Sequence, residues 1–379
     1  MGKVPLLDLV HVVRQYRPGI GGMETFVEQL AQAQLRDGHR VRVVTLDRIF
    51  DSTTGRLPSR ELLDGIEVVR VSYRGSKRYP LAPAVLRVLG SAQIVHVHGI
   101  DFFADYLALT ALVHRRSMIV TTHGGFFHTG FAQRLKKLYF ATVTRTALSR
   151  FATVVSGSSD DEHIFRRIAG DRVKLISNKV DLGKFSGLAD RGSTAIIYFG
   201  RIAPNKEVEQ LLRWFAGLAR FDPSRRLLIA GKPMGETLKR LAGIAATLGI
   251  GDRVEFHDTP SDDELKSLIA RSGAYACASS YEGFGLAAIE AVAAGLYPVL
   301  STIGPFRSHL AALGFGTLVD FNRAEEWPDS YADLATGTAN FRATIGADEL
   351  QRRLLPFDLS TMAAEYEHAY RQILAGAET

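Results

Sequence analysis

Cysteine is almost missing from this chain: Cys277 is the single one among 379 residues. One thiol excludes an intrachain disulfide and a cysteine-ligated metal cluster, and its place in an apolar run marks a buried side chain in a reducing compartment. No apolar run reaches the roughly 18 residues that a membrane-crossing helix needs. The stretch Met1-Gly2-Lys3-Val4-Pro5-Leu6-Leu7 leads into a short strand-like run without the apolar core of a signal peptide. Asp-x-Asp does not occur, and neither does a complete Gly-x-Gly-x-x-Gly. The second absence disfavours a dinucleotide-dependent oxidoreductase. No helix-turn-helix, zinc-finger or RNA-recognition signature is present either.

What is present is ordinary in bulk and uneven in distribution. Hydrophobic residues make up 46% and charged residues 23%, the balance of a globular protein long enough for two cores. Net charge is +6, but residues 1–190 hold 27 Lys/Arg against 17 Asp/Glu, whereas residues 191–379 hold 19 against 23. The first half is therefore expected to face something anionic, and a phospholipid surface fits better than nucleic acid. Basic clusters at Arg74-Lys77-Arg78, Arg134-Lys136-Lys137 and Arg166-Arg167, interleaved with aromatics, agree with that; an ordinary solvated basic face explains them too.

Short apolar strands alternate with helical stretches, the pattern of parallel α/β sheets. The first series has candidate strands at 6–13, 41–46, 66–71, 94–97, 118–121, 153–155 and 173–176, with helical patterns at 23–35, 102–113, 131–148 and 160–168. A stretch rich in Gly, Ser, Asp and Arg follows and reads as a linker. A second series has strands at 195–199, 227–230, 254–256, 274–278, 298–301 and 317–319, with helices at 208–218, 236–248, 262–270 and 286–294, and a last helix at 361–374. The fold class is α/β with two doubly wound domains, ligands being expected beyond the strands' carboxyl ends. The expected boundaries are 1–184 for the first domain, 185–193 for the linker, 194–355 for the second, and 356–379 for a helix packing back toward the first.

Chemistry concentrates in the strand-to-helix loops. In Ser280-Tyr281-Glu282-Gly283-Phe284-Gly285-Leu286-Ala287-Ala288-Ile289-Glu290, one carboxylate stands in a loop and the other one to two turns into a helix. Glycines there let helix-start amides approach phosphate, while the acids suit hydroxyls, a combination matching a sugar nucleotide. A capped surface helix with two solvated acids is the plainer reading. Gly200-Arg201-Ile202-Ala203-Pro204-Asn205-Lys206 offers an Arg fork and a Lys point charge that can converge on one diphosphate. Pro18-Gly19-Ile20-Gly21-Gly22 follows the first strand and presents amides to a phosphate or sugar, or is merely a tight turn. His123, at a strand end before Gly124-Gly125, can meet a sugar hydroxyl or assist at the reacting centre. His96 and His98 alternate on a strand as a metal pair would, yet no further ligand is evident, and a core or capping role is favoured for His96.

Jointly these loops resemble the retaining glycosyltransferases of family 4, which have the GT-B fold, two Rossmann-like domains facing a central cleft. The likeness covers nearly the whole chain. The stretches 43–48, 64–70, 73–83 and 121–129 are similar to bacterial α-mannosyltransferases that move mannose from GDP-mannose to cellobiosyl-diphosphopolyprenol in acetan and xanthan assembly. The resemblance implies that Arg201 and Lys206 bind the donor diphosphate and that Glu290 holds the ribose hydroxyls. Glu282, with Gly283 and the amides of Phe284, Gly285 and Leu286, would hold the sugar. His123, Lys206 and Glu282 would be the catalytic set, with His123 beside the sugar and scissile bond. Gly21 and Gly22 would approach phosphate or acceptor, and Ser158, Phe126 and His128 would lie near the acceptor. It further implies retention by front-face attack, an α-1,3 linkage, no metal requirement, and no glutamate nucleophile. The expected setting is exopolysaccharide biosynthesis, cytoplasmic and peripheral on the inner face of the bacterial plasma membrane. The acceptor would be a polyprenyl-diphosphate oligosaccharide, the membrane surface anionic, and nucleic acid no partner.

Three departures from the family pattern bear on donor choice. Lys179, in Asn178-Lys179-Val180-Asp181, replaces a glycine that often takes a left-handed turn, so strain or a changed hinge is expected there. Glu207 replaces glycine after Lys206, and Asp258 replaces glycine near the expected base pocket. UDP-glucose or UDP-galactose is the alternative donor. A catalytically silent membrane-surface or nucleic-acid binding protein on the same fold is the alternative of another class.

Overall fold

Parallel strands must be joined by crossovers, and helices in those crossovers cover both sheet faces, so the strands themselves turn nearly all-apolar. That rule shapes both halves of this chain. The computed structural model describes residues 5–19, 21–50, 55–123, 138–235 and 237–377. Two compact units result: Met1–Ser177 together with Ser360–Thr379, and Asn178–Leu359.

In the first unit the strands are β1 (Asp8–Val13), β2 (Arg40–Leu46), β3 (Arg60–Leu63), β4 (Ile66–Val71), β7 (Ile94–His98), β8 (Ser117–Thr121), β9 (Thr153–Ser156) and β10 (Val173–Leu175), with a small hairpin of β5 (Arg74–Ser76) and β6 (Tyr79–Leu81) apart from the main sheet. The sheet runs β10-β9-β8-β7-β1-β2-β4-β3, parallel throughout except for β3 against β4. Helix α1 (Gly22–Arg36) follows β1 and buries Phe26, Val27, Leu30 and Ala31 along one face. Helix α2 (Phe102–Leu109) follows β7, and α3 (Ser159–Ala169) follows β9. The unit's last helix comes from the far end of the chain: Gln34 on α1 donates to the Tyr370 hydroxyl (3.1 Å) within Met362–Ala377.

The second unit has β11 (Ile196–Phe199), β12 (Leu227–Gly231), β13 (Val254–Asp258), β14 (Ala274–Cys277), β15 (Tyr297–Ser301) and β16 (Thr317–Val319), all parallel in the order β13-β12-β11-β14-β15-β16. Its core gathers Trp214, Phe215, Leu211 and Leu212 of the helix Val208–Phe221, here α4, against Ile196, Ile229 and Tyr275. Chain direction across the sheet reverses between β11 and β14. Loops leaving the carboxyl ends of those neighbours diverge, which leaves the crevice where open α/β sheets bind ligands. In the first unit the same reversal lies between β1 and β7.

Several expectations need correction. Residues 185–193 are no free linker: Phe185 is 2% exposed in the second core, and the amides of Gly187 and Ala189 donate to Ala293 and Ala294 carbonyls. Their Gly/Ser/Asp content suggested a loop, but Phe185, Leu188 and Ala189 fasten it to the unit. The expected helix 102–113 breaks at Thr110 into two pieces. Of the expected helix 131–148, residues 131–137 and with them the Arg134-Lys136-Lys137 cluster lie outside the described residues; Phe140–Thr144 is a π-helical turn. Lys179 takes no left-handed backbone; it is buried and donates to the Pro356 carbonyl (2.7 Å). The strain lies instead at Glu207, where φ is 47° and ψ 45° as α4 begins.

Candidate functional site

The second-unit crevice is made by the loops after β11 and β14. Gly200 ends β11 beside Gly231 of β12, where an added Cβ would sit 1.7 Å from the Gly200 carbonyl oxygen; only glycine permits that approach. The Tyr198 hydroxyl then donates to the Arg201 carbonyl (2.7 Å), turning the chain toward the short Pro204–Lys206 turn. Two contacts tie this turn to the neighbouring loop: Ser280 N–H donates to the Asn205 carbonyl (3.0 Å), and Asn205 Nδ2 donates to the Tyr281 carbonyl (3.1 Å).

These ties bring Lys206 Nζ to 2.5 Å from Glu282 Oε1, with the two side chains 14% and 12% exposed. Ser279 Oγ donates to the same carboxylate oxygen (2.7 Å), and Ser301 Oγ donates to the Ser279 carbonyl (2.5 Å). Glu282 is therefore aimed by a strand end rather than left in a solvated loop. Arg201 is exposed on the same loop as Lys206. Two cations, one already coupled to an acid, and a run of loop amides form a surface suited to a diphosphate.

Beyond Gly283, Gly285 takes φ 89° and caps helix α5 (Leu286–Ala294). A Cβ there would lie 2.5 Å from Phe306 Cε1, so the position is closed by both conformation and space. Burial lowers the His309 imidazole to about 4, and its neutral ring donates from Nε2 to the Phe284 carbonyl (2.7 Å). The Phe284 ring packs against His309 in the core, leaving only its backbone for a ligand. The amides that open α5 have no acceptor within the helix, and the positive end of its dipole lies with them. Glu290 stands in the second turn, half-buried. Burial raises its pKa, Lys184 opposes the rise, and Asp181 and Asp262 add to it.

In the first unit, His11 on β1 pairs in register with His96 on β7, and His98 falls on the same face two residues later. His96 Nδ1 meets the Tyr370 hydroxyl and Nε2 meets Thr121 Oγ1, each at 2.8 Å. His11 joins Gln34 Oε1 (2.7 Å) and His98 (2.9 Å), and His98 joins His123 Nε2 (3.1 Å). Burial pushes His11 down to about 4 and His123 to about 3, and holds His96 and His98 well below the usual range. His11, His96 and His98 bring possible ligand atoms within 4.8 Å of one another, as a cation site would. All six of their ring nitrogens, however, are already in hydrogen bonds. His123 sits at the end of β8 with φ 53°, its ring against the edge of Phe26.

The other expected residues fall as follows. Gly21 is the extended N-cap of α1 and Gly22 its first residue, with open space where a Cβ would point. Ser158 caps α3 by accepting from Asp161 N–H (3.3 Å). Phe126 and His128 lie outside the described residues. Sequence reasoning passed over Ser279, His309, His11 and Gln34. A histidine in the apolar run Leu9-Val10-His11-Val12-Val13 was the available signal for His11; for the others, nothing local marks them.

Known proteins match this arrangement along the chain. Residues 20–184 match the model described as Glycosyltransferase Family 4, and residues 182–347 the one described as Glycosyl transferases group 1. The chain is 42% identical to the GDP-mannose:cellobiosyl-diphosphopolyprenol alpha-mannosyltransferase of Xanthomonas campestris, over 87% of each. It is 38% identical to the protein of that name from Komagataeibacter xylinus, over 98% of this chain and 94% of the relative. Among solved structures, sucrose-phosphate synthase from Thermosynechococcus elongatus superposes with a TM-score of 0.73 at 19% identity, covering 98% of this chain and 100% of the other.

Proposed function

This chain belongs to the family 4 glycosyltransferases of GT-B fold, and from that premise we propose that it transfers mannose from GDP-mannose to a polyprenyl-diphosphate-linked oligosaccharide with retention of configuration. The donor and acceptor are those in the names of relatives 38–42% identical. The observation that carries the reading is the Lys206–Glu282 pair, aimed by Ser279 and tied to the Arg201 loop at the sheet's reversal point.

In this reading Arg201 and Lys206 hold the donor diphosphate. As the bond from the anomeric carbon to phosphate oxygen breaks, its electron pair passes to the diphosphate, and fixed cations stabilise that gain of charge more than they stabilise the ground state. The acceptor hydroxyl forms its bond on the same face and yields its proton to the departing phosphate oxygen. Glu282 and the amides of Phe284, Gly285 and Leu286 grip the sugar, and Glu290 accepts from the ribose hydroxyls. His123 contacts the carbohydrate from the first unit, and the amides at Gly21 and Gly22 serve phosphate or acceptor. Neither glutamate acts as a nucleophile.

A membrane-bound acceptor calls for a membrane-facing surface. The first unit offers an apolar groove of about 490 Å³ lined by Ala108, Leu109, Leu112, Val143 and Ala147. Leu109, Leu112 and Val113 are 81%, 74% and 76% exposed, with Arg115, Arg145 and Arg150 exposed on the same helices or their ends. Exposed apolar side chains with arginines on the same helices suit an anionic bilayer.

The deciding experiment incubates the purified protein with radiolabelled GDP-mannose and a polyprenyl-diphosphate cellobiose acceptor. Transfer that Lys206→Ala and Glu282→Ala lower by roughly 100-fold or more supports the reading; transfer from UDP-glucose or UDP-galactose but not GDP-mannose overturns the donor. Flotation with anionic and with zwitterionic vesicles checks the surface. Binding to anionic vesicles that Leu112→Asp weakens is the expected result, and equal binding by that variant sinks the assignment.

A further inference from the structure

A line of three imidazoles ends at His123. At its start, Gln34 Oε1 lies 2.7 Å from His11 Nε2, while the amide Nε2 of Gln34 donates to the Tyr370 hydroxyl. His11 Nδ1 lies 2.9 Å from His98 Nε2, and His98 Nδ1 lies 3.1 Å from His123 Nε2. A neutral imidazole has one N–H and one lone pair, so the direction of a single hydrogen bond in such a line fixes every bond after it. Burial keeps all three rings neutral.

The Gln34 carbonyl can only accept. His11 must then donate from Nε2 and accept at Nδ1, His98 must donate from Nε2 and accept at Nδ1, and His123 must donate from Nε2. The branch through the last helix runs in a compatible sense. Tyr370, having accepted from the Gln34 amide, donates to His96 Nδ1, and His96 donates from Nε2 to Thr121 Oγ1. Each hydrogen bond of the line and of the branch then pairs one donor with one acceptor. His123 Nδ1 remains with a bare lone pair and makes no hydrogen bond among the described residues.

We propose that Gln34 is a positioning residue for His123. Acting through His11 and His98, it holds the His123 proton on Nε2 and presents Nδ1 as an acceptor for a hydroxyl of the carbohydrate substrate. The orientation is held as well as the proton: His98 and Phe26 fix two sides of the His123 ring, and the left-handed backbone at His123 sets where it leaves the strand. The opposite amide orientation at Gln34 would reverse each bond and present an N–H at Nδ1 instead, a donor where the first arrangement has an acceptor. The tautomer follows from the network with Gln34 Oε1 facing His11; its use in catalysis rests on the reading of His123 as a carbohydrate contact.

The test is long-range proton–nitrogen NMR on protein labelled with nitrogen-15 in histidine, which separates protonated from bare ring nitrogens. His123→Ala assigns the signals. The expected wild-type spectrum shows His123 protonated at Nε2 and bare at Nδ1. Gln34→Met, and independently His11→Phe, should turn this into a tautomer mixture. Both should lower kcat about tenfold, the loss of one oriented hydrogen bond, with KM for the donor nearly unchanged. A wild-type proton on Nδ1 overturns the proposal without recourse to any variant, as do His123 signals that neither substitution moves. Should the tautomer behave as stated while His123→Ala keeps wild-type turnover, the line stands and the carbohydrate contact at His123 fails.

Discussion

Lys206 Nζ lies 2.5 Å from Glu282 Oε1, and that oxygen also accepts from Ser279 Oγ. A diphosphate bound at this loop as proposed would meet a lysine already engaged, so its binding would redistribute one ion pair rather than add a contact to a solvated cation. Lys206→Ala is expected to lower kcat by roughly 10²–10³, the scale for removing one preorganised group that meets developing charge. It also leaves Glu282 without its counter-ion, at about 1–3 kcal/mol for a pair that is only mostly buried. A double-mutant cycle with Glu282→Gln, read by urea unfolding, should recover most of that loss. Strict additivity would contradict the coupling.

Glu290 gives a pH dependence. Its pKa is raised by burial, so the folded protein protonates it at a higher pH than an exposed carboxylate. In the proposed role, the ionised carboxylate is the stronger acceptor for ribose hydroxyls, and donor affinity should therefore fall on acidification through that raised pKa. The effect on stability has the opposite sign, since a raised carboxylate favours the fold at low pH and loses that contribution as pH rises through the folded value. Glu290→Gln should weaken donor binding about 10- to 100-fold and flatten the acid limb. Titration calorimetry across the acid range measures both; an unchanged limb in the variant contradicts the assignment.

The buried histidines make the first unit acid-sensitive. His11 is lowered to about 4 and His123 to about 3. Below about pH 6.5 the unfolded chain binds protons that the folded chain refuses, so stability declines as pH falls toward those values. His11 alone should contribute about 3 kcal/mol of that loss by about pH 4. Urea midpoints between about pH 7 and pH 5 should drop in the wild type and drop less in His11→Phe. Parallel pH profiles would be the contrary result.

Glu207 offers a stabilising substitution. Its φ of 47° costs an L-residue roughly 1–2 kcal/mol, against roughly 0.5–1 kcal/mol of chain entropy for glycine. Glu207→Gly should thus raise the second unit's unfolding temperature by about 2 °C. Scanning calorimetry decides, and a lowered temperature would show that the Glu207 side chain outweighs its backbone.

Strands were the most legible part of the chain. Ile66–Val71 and Thr317–Val319 lie where the apolar runs place them, because buried parallel strands carry their signal in composition. The edge strand Arg60–Leu63 and the hairpin of Arg74–Ser76 with Tyr79–Leu81 escaped notice, being short and largely exposed. Helices Gly304–Leu313, Trp327–Thr344 and Ala347–Leu354 went unanticipated as well; Gly, Pro or Thr interrupts the apolar residues of the first two, and the third is short and mostly charged. Site loops announced themselves through Gly, Arg, Lys and Glu next to strand ends. Ser279 and Gln34 did not, because a hydroxyl or amide acquires meaning only from the partner that folding brings, and those partners are His11 and Tyr370 for Gln34.

That partnership with Tyr370 has a consequence for biosynthesis. The first unit is discontinuous, and all of Asn178–Leu359 is made between its body and its last helix. When residue 177 is added, Gln34, His11 and His96 already exist, while Tyr366 and Tyr370 are still untranslated message. At about 5–20 residues per second the delay is roughly 10 to 40 s. During it His96 Nδ1 lacks the hydroxyl it meets in the finished fold, an unsatisfied group too costly to bury. The nascent first unit therefore lacks that partner for His96 until Tyr370 is made, and a truncation before Tyr366 removes it for good.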